Sequence, residues 1–73
     1  MDAASIRRIY VYTDANGDDC LVARGTRLRL QFISRRELLD PTVRLGVTAL
    51  LDAVAANAQI DATVPVYLDA LAA

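Results

Sequence analysis

Residues 27–37 read RLRLQFISRRE, and a change of pattern inside this stretch decides the fold. In its first seven residues, basic or amide side chains alternate with apolar ones, which is the period of a half-buried β-strand. The stretch therefore predicts a strand at 27–33. We expect its core face to carry Leu28, Leu30 and Phe32, and its solvent face to carry Arg27, Arg29 and Gln31.

The helical signals begin directly after this strand. Ser34 and Glu37 have the spacing of a capping box, in which each side chain bonds the backbone of the other residue. They predict a short helical turn at 35–39. Asp40 and Pro41 then repeat the start signal, with an N-cap followed by a proline at the first helical position. Because the residue before a proline disfavours the α conformation, we expect a second, separate helix at 41–57.

Two further strands precede the deciding stretch. Residues 6–12 are rich in β-branched and aromatic side chains, and residues 20–24 are mostly apolar. Asn16-Gly17 between them is typical of a type I′ hairpin turn, in which both central residues have positive φ. Gly25-Thr26 predicts a second two-residue turn, with glycine in the left-handed region. The three strands should form an antiparallel meander.

The main helix has one apolar stripe at helical spacing, formed by Val43, Val47, Leu50, Leu51 and Val54. Residues 60–73 allow two interpretations. Residues 60–66 could form a short edge strand, where Pro65 is tolerated. We favour a short helix at 64–72, because residues 67–73 contain several strong helix formers. The predicted fold class is α+β, a single small domain over residues 1–73: a three-stranded antiparallel meander, one main α-helix and a short C-terminal helix.

Composition argues against catalysis. The 73 residues include one cysteine and no histidine. Histidine is both the commonest general base and the commonest metal ligand, so its absence removes the usual residue for either role. Asp14, Asn16 and Asp18 resemble the start of a calcium loop, but Asp19 stands where that loop needs glycine and Gly25 where it needs glutamate. We therefore expect no enzyme activity, no catalytic residues, no cofactor and no metal site.

The sheet offers a candidate partner surface. Strict alternation puts Ile6, Arg8, Tyr10 and Tyr12 of the first strand on one side, and Arg7, Ile9 and Val11 on the other. If Ile9 and Val11 face the core, the arginine and the tyrosines of the first side join two arginines of the third strand outside. The predicted partner-binding residues are Arg8, Tyr10, Tyr12, Arg27 and Arg29. Arginine and tyrosine are enriched in protein hot spots, and they also bind single-stranded nucleic acid. The simplest alternative is that these arginines are merely solvated over the tyrosines.

The main helix offers a second candidate surface. Small side chains line it beside the apolar stripe, and Gly46 in a helix interior costs about 1 kcal/mol relative to alanine, which close packing of another backbone would explain. That backbone could be the chain's own C-terminal segment or a second copy, and a C₂ dimer is the commonest assembly. The predicted dimer-interface residues are Leu45, Gly46, Ala49, Ala53, Leu68 and Leu71.

Charge is divided between the two halves of the chain. Residues 1–36 hold seven arginines and four aspartates, hence +3, and residues 37–73 hold one arginine and five acids, hence −4. The net charge of −1 argues against nucleic acid as the main partner. We expect a non-enzymatic, homodimeric adaptor or inhibitor that binds another, as yet unidentified, protein. The alternatives are a nucleic-acid-binding protein and a structural subunit of a larger assembly.

Location and origin follow from composition alone. The chain has no apolar run of the roughly 20 residues that a membrane span needs, and its first residues lack the pattern of a secretory signal. The single cysteine, Cys20, suits a reducing compartment, so we expect a cytoplasmic protein. Arginine without lysine and abundant alanine are typical of GC-rich coding sequence, which favours a bacterial or phage source.

Overall fold

The chain folds as an α+β structure in which a mixed sheet is packed against helices. The computed structural model describes residues 5–26 and 29–72. Within them the elements, in chain order, are β1 (Ile6–Thr13), β2 (Asp19–Gly25), β3 (Gln31–Ser34), α1 (Arg35–Leu38), α2 (Pro41–Val54), β4 (Gln59–Ile60) and α3 (Thr63–Ala72).

The sheet has four strands in the order β3-β2-β1-β4. The first three pair antiparallel, as the sequence predicts. The fourth is an addition to the predicted meander, because β4 pairs parallel to β1, with Ile60 opposite Ile9. The favoured helix at 64–72 is present as α3, which begins at Thr63. The alternative strand at 60–66 is wrong beyond Ile60, where β4 ends.

The strand β3 differs most from its prediction. It begins at Gln31 rather than at residue 27, and Arg27 and Leu28 lie outside the described residues. Phe32 is opposite Val22, and Ile33 is opposite Leu21 of the core. Because paired residues share a face of the sheet, Ile33 faces the helices and Phe32 faces away from them. The prediction that Phe32 faces the core is wrong.

A bulge changes the faces of β1. The pairing with β2 is irregular between Ile6 and Arg8. Ile6 and Ile9 are both buried in the core cluster, although residues three apart on a regular strand lie on opposite faces. The extra residue at Arg7 turns Ile6 to the helix side. Counting by strict alternation puts Ile6 on the same face as Arg8, and this expectation is wrong.

Both turn predictions also need correction. In the first turn only Gly17 has positive φ, at 82°, so Asn16 does not adopt the type I′ conformation. Instead the Asp14 carboxylate accepts hydrogen bonds from the amides of Asn16 and Asp18, both at 2.9 Å. Gly25 lies inside β2 and its φ is not positive. A left-handed turn conformation therefore does not explain why glycine stands at this position.

The helix starts follow the sequence signals closely. The capping box of Ser34 and Glu37 is present in both directions, and the Asp40 carboxylate accepts the Thr42 amide at 2.9 Å. The helix α2 ends at Val54, three residues before the predicted end. The Arg44 guanidinium donates to the carbonyls of Leu38 and Leu39, at 2.8 and 3.0 Å, where α1 ends.

The main core cluster lies on the helix side of the sheet. Sheet residues meet the buried faces of all three helices there, in a cluster of Ile6, Ile9, Leu21, Ala23, Leu38, Val47, Val54 and Val64. The half-buried Leu68 and Leu71 pack against this cluster, and the Tyr67 hydroxyl donates to the Asp19 carbonyl at 3.4 Å. The opposite side of the sheet faces away from these helices.

Candidate protein interface

The surface of interest is the side of the sheet that faces away from the helices, which we call the outer sheet face. The strand register defines it, since residues paired across strands share a side. Its members are Arg8, Tyr10 and Tyr12 of β1, Cys20, Val22 and Arg24 of β2, Phe32 and Ser34 of β3, and Gln59 of β4.

The centre of the outer sheet face is aromatic. Tyr10, Val22 and Phe32 form one row across three strands. The rings of Tyr12 and Phe32 meet edge to face, with centroids 6.2 Å apart. Because β2 lies between their strands, the two rings come together above β2. Val22 is fully buried yet does not belong to the core cluster, so the sheet buries an apolar side chain on this side too.

These covering rings are themselves accessible. Tyr12 is 47% exposed and Phe32 is 54% exposed. Leu30, which directly precedes β3, is 46% exposed. The described chain thus leaves two aromatic rings of the outer sheet face about half uncovered.

The charge of Arg8 is neutralised within the chain. Its guanidinium donates two hydrogen bonds to the Asp61 carboxylate, at 3.2 and 2.8 Å, and lies over the Tyr10 ring at 4.6 Å from the centroid. The hydrogen bond from Arg8 and the charge of Arg8 lower the pKa of the Asp61 carboxyl. The same pair raises the pKa of Arg8, so both groups stay ionised at neutral pH.

The five predicted partner-binding residues fall into three groups. Arg8, Tyr10 and Tyr12 share the outer sheet face. Arg29 is exposed but lies before β3, and Arg27 lies outside the described residues.

Sequence reasoning missed Val22, Arg24 and Phe32 as members of this face. A signal was present, because residues 20–23 form a continuous apolar run, which is typical of a strand covered on both sides.

The single thiol is placed for packing rather than for reactivity. Cys20 is opposite Tyr12, and its Sγ donates to the Tyr12 carbonyl at 3.5 Å. Burial first, and then the charges of Asp14 and Asp19, raise the pKa of the Cys20 thiol. Since the thiolate is the nucleophile, this environment lowers reactivity at neutral pH.

A second exposed surface lies on α2. Leu45 is 75% exposed, and Gly46, Ala49 and Ala53 are exposed beside it. A Cβ added to Gly46 would meet nothing within 4 Å, so packing within the described chain does not explain this glycine. Leu68 and Leu71, which the sequence also assigns to a dimer interface, instead pack against the core of their own chain.

Comparison with known proteins finds no match to a family model, a curated protein or a solved structure. No helix within residues 5–26 and 29–72 is long and apolar enough to cross a membrane.

Proposed function

We propose that this chain is a non-enzymatic protein-interaction module, a small adaptor or inhibitor that docks a larger protein on its outer sheet face. The observation that carries the proposal is the exposed aromatic pair of Tyr12 and Phe32 over the buried Val22. Aromatic side chains supply much of the binding energy at protein interfaces, because they bury a large apolar area at little conformational cost. A partner with an apolar centre would complete the layer that these rings begin.

Electrostatics favours protein over nucleic acid as the partner. Binding to phosphates depends on cations that are free to replace counterions. Arg8 is already paired with Asp61, which leaves Arg24 as the arginine of the outer sheet face that makes no ion pair with a described residue. The chain as a whole carries a charge of −1.

We further propose that two copies pair through α2. The exposed surface of Leu45, Gly46, Ala49 and Ala53 combines a projecting apolar side chain with small residues that let another backbone approach. The open space at the Gly46 Cβ position is compatible with a second α2 helix in that place. A C₂ arrangement would let each Leu45 pack against the small residues of the other copy.

The docking proposal is tested by capture from extracts of the organism that encodes the chain. The affinity-tagged protein is compared with the double variant Tyr12→Ser/Phe32→Ser and with Val66→Ser, which removes a 70% exposed apolar side chain on α3. We expect one protein, identified by mass, to be retained by the wild type and by Val66→Ser and lost with the double variant. Equal capture by all three, or recovery of nucleic acid alone, contradicts the proposal. Circular dichroism establishes that each variant is folded.

The dimer proposal is tested by light scattering over a dilution series. We expect the mass of a dimer for the wild type and that of a monomer for Leu45→Arg. The control Val66→Arg changes a side chain that is 70% exposed on α3 and should remain dimeric. A wild-type monomer at every concentration removes the dimer, and growth beyond a dimer favours a structural subunit instead.

A further inference from the structure

We infer that the free edge of β3 accepts an extended acidic segment of the partner as an additional strand of the sheet. This inference rests on the proposed function, because it names the part of a protein partner that reaches the chain. It is carried by the position of β3 in the sheet and by the charges at both ends of that strand.

The strand β3 has a partner on one side only. In the described residues it pairs with β2 and forms one margin of the sheet. Gln31, Phe32 and Ser34 are exposed, and Arg29 and Leu30 before them are exposed too. At such a margin alternate residues point their N–H and C=O groups outward. Glu37 already accepts the Ser34 amide, so an extended peptide would add to β3 by main-chain hydrogen bonds at Phe32.

The charges around this edge are all basic over residues 29–36. Arg29 precedes the strand, Arg35 and Arg36 follow it, and residues 29–36 contain no acid. All three arginines are exposed, and none makes an ion pair with a described residue. The acids close to this edge are Glu37, whose carboxylate accepts the Ser34 amide in the capping box, and Asp14, Asp18 and Asp19, which line a pocket together with Ser34, Arg35 and Arg36. These aspartates belong to β2 and to the turn before it, on the side of β3 away from its free edge. An added strand with acidic ends would therefore still meet arginines at both ends of β3.

The same charges disfavour a second copy at this edge. If two β3 strands paired antiparallel about a two-fold axis, the Arg29 end of each copy would approach the Arg35 and Arg36 end of the other. Like charges across an interface are repulsive, and charged side chains commonly protect sheet edges from self-pairing. The edge therefore selects against its own copy and in favour of an acidic strand.

The side chains of the added strand follow from the register. Successive residues of a strand point to opposite sides of the sheet, so a residue opposite Phe32 lies on the outer sheet face. There it would pack against a ring that is 54% exposed. The segment is thus expected to have an apolar or aromatic residue at its centre and carboxylates at its ends.

Nuclear magnetic resonance of the intact ¹⁵N-labelled protein tests this directly. The probe is a capped peptide with two glutamates at each end and a centre of threonine, valine and phenylalanine. One control peptide has lysines in place of the glutamates, and another has N-methylated central residues that cannot donate main-chain hydrogen bonds. We expect the glutamate peptide to bind at least about tenfold more tightly than either control. Binding of the glutamate peptide should change the chemical shifts of backbone amides within residues 29–36 and slow their hydrogen exchange.

A charge reversal provides a matched test of the electrostatic part. Arg29→Glu lowers the net charge by two, and Val66→Glu/Ala70→Glu lowers it by the same amount on α3. We expect Arg29→Glu to weaken the glutamate peptide severalfold and to strengthen the lysine peptide, with little change in the α3 variant. Equal effects of both variants would mean that only overall charge matters and would overturn the assignment to β3.

Four other results would also overturn the inference. Two concern the peptides: the lysine or N-methylated peptide binds as tightly as the glutamate peptide, or the amide shifts are confined to residues outside 29–36. The other two concern the occupant: self-association protects the β3 amides, or oligothymidylate binds β3 preferentially. The capture experiment separates this inference from the proposed function. A captured protein that depends on Tyr12 and Phe32, together with failure of the glutamate peptide, leaves the docking proposal standing and removes only the added strand.

Discussion

At the scale of single residues, two glycines that look alike in the sequence have opposite roles. A Cβ on Gly25 would collide with the backbone carbonyl of Ser5, where the start of β1 crosses close to the end of β2. A Cβ on Gly46 would enter open space on α2. Gly25 is thus required by close backbone approach, whereas the described chain makes no steric demand at Gly46.

Alanine at these two positions should change stability in opposite directions. In the Leu45→Arg background, where α2 is expected to be unpaired, Gly46→Ala should raise the free energy of unfolding by about 0.5–1 kcal/mol, because alanine has the higher helix propensity. Gly25→Ala is expected to lower it by about 1–3 kcal/mol, because the backbone must move to admit a methyl group. Urea denaturation of both variants measures the two changes, and shifts of the same sign would contradict this reading of the glycines.

At the scale of elements, β4 shows how a short strand is held by contacts from outside itself. It has only two residues, and the chain then leaves it through Asp61, whose amide donates to the Ile9 carbonyl at 3.0 Å. The Asp61 carboxylate takes the bidentate hydrogen bonds of Arg8. The side chains of this pair are 49% and 22% exposed, so water partly screens the interaction.

The Arg8–Asp61 pair should make stability depend on pH in a defined window. Its effect is to lower the pKa of the folded Asp61 carboxyl below that of the unfolded chain, about 3.9. The resulting stabilisation is fully present above the unfolded pKa and is lost as the pH falls through the folded pKa. The difference in urea midpoint between wild type and Asp61→Asn should be constant above about pH 5 and decline in more acidic solution.

The control variant is Asp52→Asn, which changes an exposed carboxylate of α2 that makes no ion pair with a described residue. At pH 7 its urea midpoint should be close to that of the wild type, whereas that of Asp61→Asn should be lower. A difference between wild type and Asp61→Asn that persisted unchanged at pH 2 would show that Asp61 acts through something other than its charge.

At the scale of the whole molecule, apolar side chains are buried on both sides of one sheet. The helix side holds the main cluster, and the outer sheet face holds Val22 beneath accessible aromatic rings. The radius of gyration of 11.6 Å is close to the roughly 11 Å expected for a compact chain of this length. This apolar layer on the outer sheet face is thin, because no helix within residues 5–26 and 29–72 covers it.

Truncating Val22 tests whether that thin layer stabilises the fold. Val22→Ala should lower the free energy of unfolding by roughly 1–3 kcal/mol, as removal of buried methyl groups does in a core. Val66→Ala removes the same groups from a side chain that is 70% exposed and should change stability by less than about 0.5 kcal/mol. If the two variants were equally stable in urea, Val22 would not be buried in solution.

Much of the architecture was predictable from local signals, and the errors in strand face and sheet order share one cause. The capping box, the Asp40 N-cap and the antiparallel pairing of the first three strands all follow from residues close together in sequence. The side of the sheet to which Phe32 points depends on its pairing with Val22, ten residues away. The addition of β4 depends on Ile9 and Ile60, which are far apart in the chain.

The candidate interface divides in the same way. The alternation within β1 was enough to bring Arg8, Tyr10 and Tyr12 to one face. It could not show that Asp61 neutralises Arg8, because that partner arrives with β4. The sequence also could not distinguish Leu45, which is exposed, from Leu68 and Leu71, which pack against the core of the same chain.

The sequence by itself determined the first three strand segments approximately and where α1 and α2 begin, because capping and side-chain periodicity act within a few residues. Only the tertiary structure decided which side of the sheet each strand residue faces and which apolar side chains stay accessible. A shift of one residue in register, or a single bulge such as that at Arg7, moves a side chain across the sheet. Register is set by contacts between distant segments, so the outer sheet face, with Phe32 beside Tyr12, comes into being only when the strands pair.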